Sequence, residues 1–191
     1  QYGDTYTANG IGLETLKTFE RIQVKHTLLL NLVYGTGGET PVSDSELTSH
    51  LKSSMVELAY VTVPMYNTST FAFADDTQKE EMLRIATEAM DNYNTGIPTG
   101  STAQTSQFTI AASAALPEIY GVLDMDFSSD STNVQTELLT SSDLADSFTL
   151  NDSGNTLLDL AYGEAAAVQY SNYAMMMAVR LDPLQVSTLD S

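Results

Sequence analysis

Between Ile85 and Val179 the chain runs for 95 residues without a lysine, arginine or histidine. Lys17, Arg21, Lys25, Lys52, Lys79 and Arg84 all precede that stretch, and Arg180 follows it. Against 25 acidic residues these seven cations leave a net charge of −18. A chain so charged repels itself, so it folds only where apolar burial outweighs the repulsion. Hydrophobic residues make up 42% of the sequence and charged ones 17%, which puts it on the globular side of that balance. A single core in a chain of 191 residues buries roughly 70% of the surface that the unfolded chain exposes.

The same distribution of charge bounds the partners. Nucleic acid is a poor one, because binding it requires basic side chains to displace phosphate counterions. Anionic membrane surfaces are disfavoured for the same reason, and no apolar run reaches the eighteen or so residues of a spanning helix. An acidic surface is most easily maintained where dissolved cations screen it, so saline or calcium-rich surroundings are expected. There is no cysteine, which removes disulfides, thiolate metal sites and cysteine nucleophiles together. The first residue is Gln1 rather than Met, which is read as the mark of a trimmed chain or a mature product of proteolysis. Loss of a signal peptide, an organelle presequence or a virion or pilin prosegment would mean a protein delivered somewhere before it works, and an extracellular or virion-surface location is expected. Asn67-Thr68-Ser69 and Asn151-Asp152-Ser153 are glycosylation sequons that carry little weight in a chain rich in Ser and Thr.

Residues 1–10 read as an arm, and residues 11–191 as one acidic α+β domain. Ile22, Val24, Leu28, Leu30 and Leu32 fall on even positions, while Lys17, Arg21, Gln23, Lys25, Thr27 and Asn31 fall on odd ones. This alternation predicts a first strand with one buried face. Gly35-Thr36-Gly37-Gly38 ends it, and Ser43-x-x-Glu46 is a capping box that opens an amphipathic helix over 43–59. Tyr60 to Met65 reads as a short strand. Asp75-Asp76-Thr77 starts a second helix, whose face is Met82, Ile85, Ala86, Ala89 and Tyr93. A linker over 96–106 and a small-residue strand over 108–115 are expected next. Further on, the pattern gives a strand from Ile119 to Phe127, loose helix over 134–148, a turn at 151–155, helix over 157–168, and a strand from Tyr173 to Leu181. The order predicts a mainly antiparallel sheet with two amphipathic helices on one face. A β-sandwich or jelly roll with inserted helices is the alternative.

His26 and His50 are the only histidines, and neither lies in a catalytic or zinc-binding spacing. The many carboxylates could supply an acid/base pair, as in a carboxylate-dependent hydrolase, but the sequence singles out no two of them. The loop from Gly35 to Gly38 lacks the lysine of a phosphate-binding loop and reads as a turn. Asp124-x-Asp126-x-Ser128-x-Asp130 places oxygen ligands on alternate residues, as Ca2+ coordination requires. It departs from an EF-hand at Ser129 and Gln135, where a glycine and a bidentate glutamate belong. Met175-Met176-Met177 reads as core strand rather than as an adaptable contact surface.

Lys17, Arg21 and Lys25 form a basic stripe in an otherwise acidic molecule. Either it is neutralised within its own fold, by Glu14 or Glu20 for example, or it docks on the carboxylate-rich second half of another copy in a contact that propagates. The expectation is a non-enzymatic structural protein, a self-assembling subunit of an extracellular filament, surface layer or virion whose partners are copies of itself. The alternatives are a secreted Ca2+-dependent binding or adhesion module and the hydrolase.

Overall fold

A computed structural model describes residues 13–35, 37–127 and 132–183. The chain divides into two compact units, residues 1–47 and 48–191.

In the first unit, Leu13–Tyr34 is an α-helix, α1, and not the expected strand. The alternation that predicted a strand ends in the unbroken run Leu28-Leu29-Leu30, which fits either period. Six leucines, together with Glu, Lys, Arg and Gln, favour helix over the scattered β-branched residues. The glycine loop is the C-terminal cap of α1. Gly35 N–H donates to the Asn31 carbonyl at 3.0 Å, Glu39 N–H to Leu32 at 3.1 Å and Thr40 N–H to Val33 at 2.8 Å. A Cβ on Gly38 would lie 2.7 Å from the Val33 carbonyl oxygen, so the return of the chain over the helix end requires glycine there.

The capping box forms as expected at α2, Asp44–Ser54. Ser43 N–H donates to the Glu46 carboxylate at 2.9 Å, and Glu46 N–H donates to Ser43 Oγ at 3.2 Å. The Ser43 N–H and, at 2.7 Å, the Ser43 hydroxyl both donate to the Glu46 carboxylate and hold it below its ordinary pKa. The helix stops five residues short of its predicted end, because Met55–Pro64 is strand β1. Val56 and Leu58 face one side of the sheet and Ala59, Val61 and Val63 the other, and all five are buried. A strand covered on both faces shows no polar alternation, and the apolar spacing of α2 runs into it without a break.

Helix α3, Asp76–Asn94, starts at a complete Asp75/Gln78 capping box and buries Met82, Ile85, Ala86, Met90 and Tyr93. Helix α4, Ser101–Gly121, replaces the expected linker and small-residue strand and takes in the start of the strand expected from Ile119. Its buried residues Phe108, Ala112, Ala115, Leu116 and Ile119 recur at helical spacing. Thr105 and Thr109 turn their hydroxyls back to the carbonyls of Ser101 and Thr105, at 2.9 and 2.7 Å, which satisfies these polar groups inside the helix.

Strand β2, Gln135–Thr140, and helix α5, Ser141–Ser147, occupy the region read as loose helix. A 3-10 turn, Leu150–Asp152, leads into α6, Ser153–Asp159. The last helix expected, over 157–168, is cut short by Leu160, and strand β3, Ala165–Ser171, follows. β4, Ala174–Arg180, forms close to its predicted range. The four strands make one antiparallel sheet in the order β2-β1-β4-β3.

The chain is therefore α+β with an antiparallel sheet, as expected. α3 and α4 cover one face, over Val61, Val63, Met175 and Met177. α5 and α6 contribute Leu144 and Leu157 to the opposite face, over Leu58, Met176 and Ala178. The two long helices do share one face, but α4 rather than α2 accompanies α3, and short helices cover the face that the prediction left open.

Candidate functional site

Helix α1 carries both the predicted assembly contact and a feature that the sequence reading missed. Lys17, Arg21 and Lys25 recur every fourth residue, so they line one face of the helix as they would have lined one face of a strand. Lys17 Nζ lies 2.8 Å from Glu14 Oε1 in an exposed pair. Arg21 and Lys25 have no carboxylate at ion-pair distance among the described residues. Neutralisation within the fold accounts for one cation of the three.

Large apolar side chains of α1 are also exposed. Phe19, Ile22, Leu28, Leu29, Leu30 and Leu32 are each 43–63% exposed. Phe19, Ile22, Leu29 and Leu30 follow the spacing of a single helix face, while Leu28 and Leu32 flank the basic residues. Isolated exposed leucines are ordinary; here four large apolar residues share one face, with the exposed His26 between Ile22 and Leu29. The spacing of four between the cations fits helix and strand alike; the sequence signal for helix is the content of Leu, Glu, Lys, Arg and Gln.

A groove of about 570 Å3 runs between α3 and α4, on the side of the pair turned away from the sheet. Its floor is made of small residues, Ala89, Ala111, Ala114 and Ala115, with Ile110 61% exposed beside them. Glu88 and Glu118 stand at its edges. Arg84 holds Glu81 at 2.8 Å and Glu88 at 3.0 Å, whereas Glu118 has no cation at ion-pair distance among the described residues. Tyr93 also lines the groove; its hydroxyl is buried without a hydrogen-bond partner, and burial raises its pKa. No single short motif encodes this groove, because its walls come from two helices, one of which was read as linker and strand.

An aromatic cluster is exposed at one end of the sheet. The Phe73 ring lies 6.0 Å from Tyr66 and 5.1 Å from Tyr173, and Phe71 is 72% exposed. Asn67 shapes the loop. Its Oδ1 accepts from Ser69 N–H and Thr70 N–H, both at 3.0 Å, and its Nδ2 donates to the Leu123 carbonyl at 2.9 Å. Within this loop Phe71 is held at φ +59, a left-handed conformation that a bulky residue rarely adopts. Asn151 is exposed.

The remaining predicted positions lie apart from these surfaces. Asp124 and Asp126 are exposed just after α4, and Asp124 adopts a left-handed φ of 52°. Ser128 and Asp130, the other two residues of the expected Ca2+ loop, lie outside the described residues. Among the described residues no group of three or more acidic or histidine side chains could hold a metal ion. His50 Nδ1 lies 3.3 Å from Ser54 Oγ on an exposed turn of α2. Met175, Met176 and Met177 are buried in the sheet, as read. Arg180 reaches the carbonyls of Leu158 and Leu160 at 2.7 and 2.8 Å and lies over the Tyr162 ring. No helix among the described residues is long and apolar enough to cross a membrane. Comparisons with family models, curated proteins and solved structures find no match to this chain.

Proposed function

We propose that the protein is a non-enzymatic structural subunit that assembles with copies of itself into an extracellular filament, surface layer or virion. The observation that carries this reading is α1: a helix of 22 residues whose large apolar side chains stand in solvent beside two unpaired cations. Burying the exposed half of a leucine or phenylalanine of this kind stabilises an interface by about 1 kcal/mol per side chain before the costs of association. Four such residues on one face favour a contact between copies. The polarity of the molecule supports the same reading. Three cations lie on α1, and the long cation-free stretch gives each subunit an acidic surface toward which the α1 of another can be drawn.

Sedimentation velocity and negative-stain imaging across a series of salt and protein concentrations test the proposal. The expected result is concentration-dependent assembly, stronger in salt that screens the net charge of −18. A monomer at every salt and protein concentration would refute it.

A further inference from the structure

We infer that the groove between α3 and α4 is the receptor for α1 of a second copy, so that subunits join head to tail, the apolar row of α1 into a groove floored by alanines and edged by Glu88 and Glu118. This rests on the self-assembly reading and adds the surface that receives the helix.

Three matches between the two surfaces support the pairing. The first is length. On α4 the groove lining runs from Gln107 to Glu118, and the apolar row of α1 runs from Phe19 to Leu30. Both spans are about 17 Å at 1.5 Å per residue, three turns of helix. The second is shape. The alanines of the floor have no side chain beyond Cβ, so a helix can lie close to both walls and place Phe19, Ile22 and Leu29 in the space above them. The exposed Ile110 gives the row an apolar contact at the rim.

The third match is charge. Of the six carboxylates of α3 and α4, Glu88 and Glu118 line the groove; Glu88 is paired with Arg84, and Glu118 has no cation at ion-pair distance among the described residues. Lys25 of α1, with no carboxylate at ion-pair distance among the described residues, is its counterpart. Lys25 lies about 40–60° around the helix from Ile22 and Leu29 at ~100° per residue. When those two face the groove, its long side chain extends over one rim, where Glu118 lacks a cation. A like pairing of α1 with α1 through the same row would bring Lys25 of both copies toward one seam, like charge against like. The donor and acceptor surfaces differ, so the contact is heterologous, and it leaves a free α1 at one end of the chain of subunits and a free groove at the other.

The absence of cysteine makes a direct test simple. Full-length Leu29→Cys and Ala114→Cys chains are mixed in equal amounts under assembling conditions, oxidised briefly, and resolved on a non-reducing gel. A second mixture pairs Leu29→Cys with Asp146→Cys, on α5 at the other face of the sheet. Sedimentation before oxidation establishes whether each mixture assembles. The inference expects a heterodimer band from the 29/114 mixture at least ten times stronger than that from 29/146. Assembly with equal bands, or with 29/29 dimers alone, would overturn the groove as receptor and leave self-assembly standing. Failure of the unsubstituted protein to sediment as more than a monomer under any condition would remove the self-assembly reading itself, and the groove with it.

Discussion

Two apolar runs of the same chain meet opposite fates. In β4, Met175 to Val179 are each no more than 4% exposed, covered by β1 and β3 at the edges and by helices on both faces. In α1, Leu28, Leu29, Leu30 and Leu32 are 43–63% exposed. Composition does not separate the two, since both are dense in large side chains of high burial tendency. Supply of partners does. A central strand is bonded on both edges, and its residues face two layers at once, so neither parity is left in water. A helix offers its partner one stripe, and the remainder of α1 has apolar residues on the flanks as well. An apolar run therefore states how much surface must be covered, and the topology decides whether the same chain covers it.

If that contrast is correct, truncation in the core and truncation on α1 must separate stability from association. The largest effect is expected at Phe108, fully buried where α4 meets the sheet and edge-on to Tyr93 at 6.4 Å. Phe108→Ala should cost about 3–5 kcal/mol through lost burial and the cavity left behind. Urea denaturation followed by circular dichroism would read this as a large drop in midpoint at unchanged slope. A loss under 1 kcal/mol would mean that the helix pair does not pack as a core.

The parts of the fold legible in the sequence were those with local causes. The Ser43/Glu46 box announces α2 through side chains three residues apart, Asp75-Asp76 mark the start of α3, and α3 displays its buried face at helical spacing. β4 was readable because Tyr173 and Asp182-Pro183 bound it. α4 was not, because Ser, Thr, Gln and Ala give little contrast between faces; its helix depends on burying Phe108, Leu116 and Ile119 against strands distant in sequence. α1 was misread because three consecutive leucines fit both periods. Of the candidate site, the cations were legible as a stripe under either assignment, and the exposed apolar face appeared only once the period was 3.6. The groove was illegible in principle, since it exists only after α3 and α4 have packed.

A smaller effect tests the boundary between buried and exposed within β1. Glu57 is half-buried, its Oε2 has neither solvent nor a hydrogen-bond partner, and desolvation raises its pKa above the ordinary 4.5. The folded state then holds a proton that the unfolded state has released. Stability from this group is complete below the ordinary value and is lost as pH rises through the raised folded value. Glu57→Gln removes that loss. It should stabilise the protein at pH 7 by about 0.5–1 kcal/mol, the exposed part of the side chain screening the rest. The gain should shrink toward zero as pH falls below the ordinary 4.5, where Glu57 becomes protonated in both states. Thermal melts of the two proteins from pH 4 to 8 would show curves that diverge upward in pH, and parallel curves would contradict the assignment.

The smallest effect on stability is expected on α1, together with the largest effect on association. Leu29→Ser removes an exposed side chain and should change folding stability by less than about 0.5 kcal/mol. Reversal of Lys17, Arg21 and Lys25 to glutamate should be equally mild for the fold, since the one ion pair it breaks, with Glu14, is exposed. Salt distinguishes the two variants. An apolar contact survives screening, whereas attraction between charges fades once the Debye length falls to about 3 Å at 1 M. Leu29→Ser should therefore weaken assembly at every salt concentration, and charge reversal should weaken it strongly at low salt and progressively less toward 1 M. Sedimentation of both variants across one salt series makes the comparison. Identical salt profiles would mean that the basic stripe and the apolar row act as one surface rather than as steering and anchor. If both variants assembled like the parent, α1 would be excluded from the contact altogether, and its exposed leucines would need a different partner.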